Sequence, residues 1–286
     1  MEYVNRNGTV VPFLFKFGAS EHLQERKQIM KVNNQVHLIR KEFYVTPEVK
    51  RYVNIYLIVG RYCYLIDSGV AGTEELIGQY LAEIHHEMSD IKGIFLTHSH
   101  PDHIGAAAEI KKQTNCRVYA PVEELPWIED IQQQFLQRPI PNFFKLLSRS
   151  VDVNQPLKDG DVLVPEEGIT IRAVSTKGHS HGSMSYILND EVIFTGDAIP
   201  VAGELPIFTD YDQTVKSLDT IKGLEGIKHY CPAWDNIYDK ERLDMVVEDS
   251  KKMLSEMKKD VFGGQKKYGG NPLFAESIEA CRRAGQ

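Results

Sequence analysis

Residues 97–103, with the sequence THSHPDH, place three histidines and one aspartate within six consecutive positions. A short apolar run at 94–96 precedes them, and a segment of helix-forming composition at 104–110 follows. We therefore expect the cluster to lie where a buried strand ends and a helix begins. In open α/β sheets, ligands bind at that edge, outside the carboxyl ends of the strands.

The residue types in this cluster are those that bind divalent metals. Imidazole and carboxylate groups are preferred ligands of zinc and other first-row ions. His98 and His100 project to the same side of an extended turn because side-chain direction alternates, and Pro101 disfavours a helical conformation for His100. Asp102 and His103 begin the helix, where the helix dipole favours a carboxylate. The alternative is a polar loop with incidental histidines, but ten histidines spread over 286 residues rarely form so dense a group.

The pattern H-x-H-x-D-H resembles the signature of the metallo-β-lactamase superfamily of metal-dependent hydrolases, in its glyoxalase II-like group. Three further elements occur in the order of that family. Residues 67–69 (DSG) end a predicted strand, 176–183 (TKGHSHGS) form a glycine-rich turn with a histidine, and 195–198 (TGDA) close an apolar strand. The four elements extend the resemblance over roughly residues 35–240.

The resemblance implies a set of six metal ligands. They are His98, His100, Asp102, His103, His179 and Asp197. The H-x-H pair and the histidine of the glycine-rich turn form the first metal position. The other three form the second, and the T-G-D aspartate is shared. Asp102 also has a catalytic role, orienting the attacking water or transferring its proton. The implied cofactor is zinc at one or two positions, with iron and manganese as alternatives. Asp67 is expected to support a histidine ligand through a hydrogen bond, or simply to open a turn.

One expected ligand is replaced. The superfamily usually supplies its last histidine from a P-G-H-G segment after a strand, whereas residues 232–235 read PAWD in this chain. Trp234 therefore stands at the histidine position, and an indole does not ligate a metal. His229 and Asp235 are the nearby side chains that could replace the missing ligand. Without either of them, the second metal position is weakened or empty.

The fold implied by the resemblance is α+β, a four-layer αββα metallo-β-lactamase sandwich with two mixed β-sheets flanked by helices. We expect one domain over 1–240 with a helical insertion at 121–150, and a C-terminal helical extension of the same domain at 241–286. The insertion contains four prolines and many large apolar side chains, with helices near 123–137 and 141–148. It is interpreted either as additional core or as a cover that lines an apolar substrate pocket, and the sequence leaves both interpretations open.

Composition limits the range of functions. The chain has 33 Lys/Arg and 40 Asp/Glu, a net charge of −7, which argues against broad nucleic-acid binding. We find no apolar run long enough for a signal peptide or a membrane span. The four cysteines are scattered and form no C-x-x-C pair, which favours a reducing, cytoplasmic setting without disulfides. We expect a small-molecule substrate and no nucleic-acid or membrane partner, and a homodimer is left open.

The resulting hypothesis is a metal-dependent hydrolase in which a metal-bound hydroxide attacks the carbonyl of a small ester, thioester, lactone or amide. Two alternatives remain. The replaced histidine favours a mononuclear iron, oxygen-dependent enzyme of the same fold. The other alternative is a catalytically weak, metal-binding regulatory protein. Elemental analysis separates the hydrolase from the iron enzyme, and absence of turnover despite bound metal would indicate the regulatory protein.

Overall fold

The computed structural model describes the backbone of residues 2–4, 10–12 and 29–262, and the side chains of residues 29–258. Within these ranges the chain forms fourteen strands and eight α-helices. The strands are β1 (Glu2–Val4), β2 (Val10–Pro12), β3 (Ile29–Lys31), β4 (Val36–Thr46), β5 (Val49–Val59), β6 (Cys63–Ile66), β7 (Ile91–Phe95), β8 (Arg117–Pro121), β9 (Gln155–Leu157), β10 (Val162–Glu166), β11 (Ile169–Ser175), β12 (Met184–Leu188), β13 (Val192–Gly196) and β14 (His229–Pro232). The helices are α1 (Thr73–Glu83), α2 (Pro101–Ile104), α3 (Ala107–Thr114), α4 (Leu125–Ile128), α5 (Ile131–Gln137), α6 (Phe143–Leu146), α7 (Tyr211–Lys222) and α8 (Lys240–Phe262).

Strands β3 to β14 form two mixed sheets. The seven-stranded sheet contains β3 to β9 in sequence order, antiparallel from β3 to β6 and parallel from β6 to β9. The five-stranded sheet contains β10 to β14 in sequence order, antiparallel from β10 to β13, with β14 parallel to β13. Strands β1 and β2 form a separate antiparallel pair.

The two sheets pack face to face, and helices cover both outer faces. The layer between the sheets contains aromatic side chains from both of them, including Tyr56, Phe95, Tyr186 and Phe194. A second core lies between the seven-stranded sheet and helices α1 and α3 to α6. A third core lies between the five-stranded sheet and helices α7 and α8. The predicted αββα sandwich with two mixed sheets is confirmed.

The apolar sequence of β5 explains how one strand contributes to two cores. Val53, Ile55 and Leu57 face the helices, whereas Tyr56 and Ile58 face the other sheet. Successive side chains of a strand point to opposite faces of the sheet. A strand covered on both faces therefore has an almost unbroken apolar sequence instead of an alternating one.

The insertion at 121–150 forms three short helices instead of the two that we predicted. Helices α4 and α5 cover most of the predicted helix 123–137, and Asp130 separates them. Its side chain accepts hydrogen bonds from the backbone N–H groups of Gln132 and Gln133 in α5, at 3.1 and 3.0 Å, so Asp130 is the N-cap of that helix. Helix α6 is shorter than the predicted helix 141–148.

The described part of the C-terminal extension is a single long helix. Helix α8 packs on α7 and the five-stranded sheet through Leu243, Val247 and Leu254. The rest of the predicted extension, from residue 263, lies outside the described residues. Among the helices that the structure describes, none combines the length and the apolar character needed to cross a bilayer. Three of the four cysteines fall within the described residues and are buried and free.

The helix after the histidine cluster is broken into α2 and α3 at Gly105. A Cβ atom at this position would lie 2.3 Å from the carbonyl oxygen of Leu146 and 2.6 Å from the backbone nitrogen of Ala71. Only glycine permits so close a backbone approach. The break brings α2, which carries Asp102 and His103, against the insertion.

Candidate metal centre

Five strand ends meet at one edge of the sandwich. Strands β6 and β7 end shortly before Asp67 and the 97–103 loop. Strands β11 and β13 end shortly before His179 and Asp197, and β14 ends shortly before Trp234. Because β6 is parallel to β7 and β13 is parallel to β14, their carboxyl ends lie together. The four sequence motifs are therefore neighbours in space.

Four of the predicted ligands converge on one point. One ligand atom from each of His98, His100, His179 and Asp197 lies within 4.8 Å of the other three. The Nε2 atoms of His98 and His179 are 3.0 and 2.9 Å from His100 Nδ1. His179 Nε2 is also 3.3 Å from Asp197 Oδ2. The three histidines are buried, and four nitrogen and oxygen donors are the number that a zinc site takes.

Hydrogen bonds on the outer ring nitrogens fix the direction of two imidazoles. His179 Nδ1 donates to the carbonyl oxygen of Ile207 at 2.9 Å, which leaves a lone pair on Nε2. The Thr97 hydroxyl donates to Asp67 Oδ2 at 2.9 Å, so it accepts the hydrogen bond from His98 Nδ1 at 3.0 Å. Nε2 of His98 therefore also carries a lone pair that faces the cluster.

These residues fit a divalent cation. Two lone-pair nitrogens, on His98 and His179, approach His100 Nδ1, and that single nitrogen carries at most one proton. Burial, the largest cause, lowers the pKa of all three imidazoles, and those of His98 and His100 lie well below their usual value. The rings are therefore neutral at neutral pH, which is the form that binds metals. A cation would satisfy lone pairs that the hydrogen bonds leave facing one another.

The other two predicted ligands lie beside this group. His103 Nδ1 donates to Asp67 Oδ2 at 2.8 Å, as expected for a supporting carboxylate. His103 Nε2 lies 3.1 Å from Asp197 Oδ1 and 3.5 Å from Asp102 Oδ2. Burial acts to lower the pKa of His103, but Asp197, Asp102 and Asp67 together raise it well above its usual value. Burial raises the pKa of Asp102. The carboxylates on this side therefore favour a proton on the His103 ring, and neither His103 Nε2 nor Asp197 Oδ1 has a hydrogen-bond partner among the described residues.

A family comparison agrees with the geometry. Residues 49–226 match the family model described as the metallo-β-lactamase superfamily. The chain belongs to the metallo-β-lactamase superfamily. This confirms the membership that the sequence motifs predicted.

Curated relatives within the superfamily are hydrolases by name. The chain is 29% identical over 154 residues to a hydroxyacylglutathione hydrolase of Rhodopseudomonas palustris (strain BisB5), a match that covers 53% of this chain and 51% of the relative. It is 27% identical over 164 residues to a protein of Bacillus velezensis described as a probable polyketide biosynthesis zinc-dependent hydrolase, with coverage of 55% and 64%. The chain thus spans about half the length of the first of these relatives.

Solved structures of the superfamily share the fold. A metallo-β-lactamase family protein of Thermus thermophilus aligns with a TM-score of 0.64 at 21% identity, covering 80% of this chain and 81% of that chain. At this identity the likeness supports the sandwich architecture and carries no information on substrate.

Trp234 is the residue that the sequence motifs place at the expected position of the superfamily's last histidine. Its ring packs edge-on against Phe43, with centroids 6.3 Å apart, at the margin of the outer core. Burial raises the pKa of the Asp197 carboxyl, but His103, His179 and the indole N–H of Trp234 outweigh it and lower the pKa. The side chain at this position therefore offers a polar N–H to the Asp197 side of the centre and has no lone pair for a metal.

Neither suggested replacement for the missing histidine reaches the cluster. Asp235 Oδ2 accepts hydrogen bonds from the backbone N–H of Ala202 at 3.0 Å and from the Tyr238 hydroxyl at 2.7 Å. His229 lies at the beginning of β14, whereas the ligand loops follow the ends of the strands. The group of four converging donors includes neither residue, because the carboxylate of Asp235 holds its own loop and His229 lies at the opposite end of β14.

Sequence reasoning missed Glu124, a buried carboxylate that joins the two ligand-bearing loops. Its Oε2 accepts hydrogen bonds from the Ser99 hydroxyl and, at 3.0 Å, from the Ser99 backbone N–H. Its Oε1 accepts hydrogen bonds from the Ser180 hydroxyl and the Gly182 N–H, both at 2.6 Å. Ser99 separates the H-x-H histidines, and Ser180 follows His179. The partners lie 25 and 56 residues away in the sequence, so no local pattern indicates this role.

The insertion contributes core packing and polar contacts to the ligand loops. Ile128 and Phe143 are buried in the core between the helices and the seven-stranded sheet. Gln134 is fully buried, and its Nε2 donates to the carbonyl oxygen of Ser99 at 2.7 Å. Only some of the apolar side chains of the insertion are exposed, notably Leu136. These contacts favour the core interpretation for most of the segment.

Proposed function

We propose that this protein is a metal-dependent hydrolase that cleaves the carbonyl–heteroatom bond of a small ester, thioester, lactone or amide. The convergence of His98, His100, His179 and Asp197 within 4.8 Å carries the proposal. Thioesters are the first choice, because the relative from Rhodopseudomonas palustris is named for the hydrolysis of an acylglutathione.

We infer that the four converging side chains hold one ion, with zinc as the favoured metal. A divalent ion bound there supplies Lewis acidity and lowers the pKa of a water ligand to about 7. The protein contributes the orientation of the ligands. The carbonyl oxygen of Ile207 and the hydroxyl of Thr97 hold the rings of His179 and His98 with their lone pairs directed inward.

Asp102 is the proposed proton acceptor. Its side chain is 16% exposed and lies beside the metal ligands, 3.5 Å from His103 Nε2. Burial raises its pKa, and a carboxyl with a raised pKa is better matched to proton transfer near neutral pH. Asp67 holds His103 by its Nδ1–H, which keeps the other ring nitrogen directed at Asp102 and Asp197.

Elemental analysis together with a hydrolysis panel tests the proposal. We expect about one tightly held ion per chain, because three histidines supply the protein ligands of a catalytic zinc site, which keeps a position open for water, and Asp197 lies beside them. Hydrolysis of at least one thioester, lactone, ester or amide should disappear on chelation and return when zinc is restored. One iron per chain with oxygen consumption would favour the iron enzyme. Full metal content without turnover of any compound in the panel would favour a binding protein.

A further inference from the structure

Arg138 follows the helical turn of the insertion that contacts the ligand loops. It directly follows helix α5, and its backbone N–H donates to the carbonyl oxygen of Gln134 at 2.7 Å. The amide of Gln134 is bound to the carbonyl oxygen of Ser99, between His98 and His100, at 2.7 Å. The backbone at Arg138 therefore lies next to the turn that contacts the loop of these two histidines.

The charge of Arg138 acts on the ionisable groups of the centre. After burial, it is the largest cause that lowers the pKa of His100. It also lowers the pKa values of His98 and His179. Burial lowers the pKa of Arg138 itself, and Asp102 is the first of the carboxylates that oppose this change. The guanidinium, which stays protonated at neutral pH, therefore lies close to the centre.

Arg138 nevertheless has no close partner within the described part of the chain. None of the carboxylates in residues 29–258 lies within 4.0 Å of its guanidinium nitrogens, and its side chain makes no hydrogen bond to these residues. The three carboxylates whose charges act on Arg138 have other neighbours. Glu124 accepts four hydrogen bonds, Asp197 faces His103 and His179, and Asp102 Oδ2 lies 3.5 Å from His103 Nε2. A half-buried guanidinium has five N–H donors in a planar fork that suits carboxylate or phosphate oxygens.

We propose that Arg138 binds an anionic group of the substrate, a carboxylate or a phosphate, while the substrate's carbonyl lies at the metal centre. The proposal rests on the hydrolase function and narrows it to acyl compounds that carry a negative charge. Arg138 is then a specificity-determining residue supplied by the insertion.

The competing explanation is that Arg138 only offsets the negative charge of Asp102, Asp197 and Glu124. The two explanations differ in what the loss of the guanidinium changes. A residue that balances charge would alter metal content or folding when it is replaced. A residue that binds substrate would alter the affinity for anions and leave metal content unchanged.

Calorimetric titration of the metal-loaded protein tests the proposal without requiring turnover. The probes are glutarate, inorganic phosphate and the neutral glutaramide, measured with the wild type and with Arg138→Gln, Arg138→Lys and Arg149→Gln. Arg149 is an exposed arginine of the same segment, so its variant removes the same charge at a matched control position. We expect Arg138→Gln to weaken the binding of one anion by about 10- to 100-fold, the loss typical for a hydrogen bond to a charged group. Arg138→Lys should retain part of the affinity, and metal content should stay at the wild-type value.

Several outcomes would overturn the proposal. They are the absence of glutarate and phosphate binding to the wild type, equal anion binding by Arg138→Gln, an equal loss in Arg149→Gln, and loss of metal from Arg138→Gln. Selective loss of glutarate or of phosphate identifies the anionic group. Arg138-dependent anion binding in a protein that hydrolyses nothing would reject the hydrolase function and keep the anion site. Hydrolysis without Arg138-dependent anion binding would keep the hydrolase function and reject the anion site.

Discussion

The two sides of the candidate metal centre differ in how their surroundings shift the pKa values of the imidazoles. On the His100 side, formed by His98, His100 and His179, burial lowers the pKa of each ring, so neutral nitrogens face one another. On the His103 side, formed by His103 and the carboxylates around it, those carboxylates raise the pKa of the ring in spite of its burial. The His100 side therefore directs lone pairs toward a possible cation, whereas the carboxylates of the His103 side favour a proton on its ring.

Trp234, at the expected position of a histidine ligand, lies on the His103 side of this comparison. The indole N–H of Trp234 helps to lower the pKa of Asp197, the carboxylate that both sides share, whereas a histidine at this position would offer a lone pair. His103 Nε2 lies 3.1 Å from Asp197 Oδ1, and neither atom has a hydrogen-bond partner among the described residues. The difference teaches that two neighbouring sets of histidines and carboxylates can favour different occupants, a metal ion on one side and a proton on the other.

Removing a ligand from the His100 side should have the largest effect. His179→Ala is expected to lower metal affinity by more than about 100-fold, beyond the range typical for groups that only orient ligands, and to abolish hydrolysis. His181→Ala is the control, because His181 lies in the same turn, is exposed and belongs to neither side. Metal content should be measured after dialysis of both variants. Full metal retention in His179→Ala would show that the His100 side is not the metal-binding side.

Loosening the loops that carry the His100 side should have the next largest effect. Glu124→Gln leaves the volume unchanged but turns an amide N–H₂ toward groups that already donate, which should cost about 2–3 kcal/mol of unfolding free energy. Glu123→Gln is the matched control, since its carboxylate is 40% exposed and its ion pair with Lys177 is worth less than about 1 kcal/mol. Urea unfolding with and without added zinc would measure both variants. Equal losses in the two variants would contradict the role of Glu124.

Restoring the missing ligand should have the smallest effect, confined to the His103 side. The unaltered protein should lose any second ion on dilution or mild chelation. Trp234→His should bind a second ion at least about 10-fold more tightly, because the new imidazole adds one ligand to that position. Trp234→Phe removes the N–H without adding a lone pair, and it should gain no second ion. Equilibrium dialysis against a graded chelator would separate the three proteins. Two ions held with equal affinity by the unaltered protein would show that an unrecognised ligand completes the second position.

The sequence by itself determined the architecture and the place of the centre. Four ordered motifs resemble those of the metallo-β-lactamase superfamily, and that resemblance implied the αββα sandwich. The motif of residues 97–103 indicates a ligand loop, because the identity and spacing of its side chains are local properties. Each of these features depends on neighbours in the chain, so it can be recognised from a few consecutive residues.

Only the tertiary structure decided how the two sides of the centre differ. Glu124 contacts Ser180 across 56 residues of sequence, and Gln134 contacts Ser99 across 35. The same kind of long-range packing directs Asp235 away from the cluster and brings Arg138 toward it. Burial and the distances between charged groups set the pKa values of His100 and His103, although both belong to one short motif. Such quantities depend on which distant segments pack together, and that information exists only once the chain has folded.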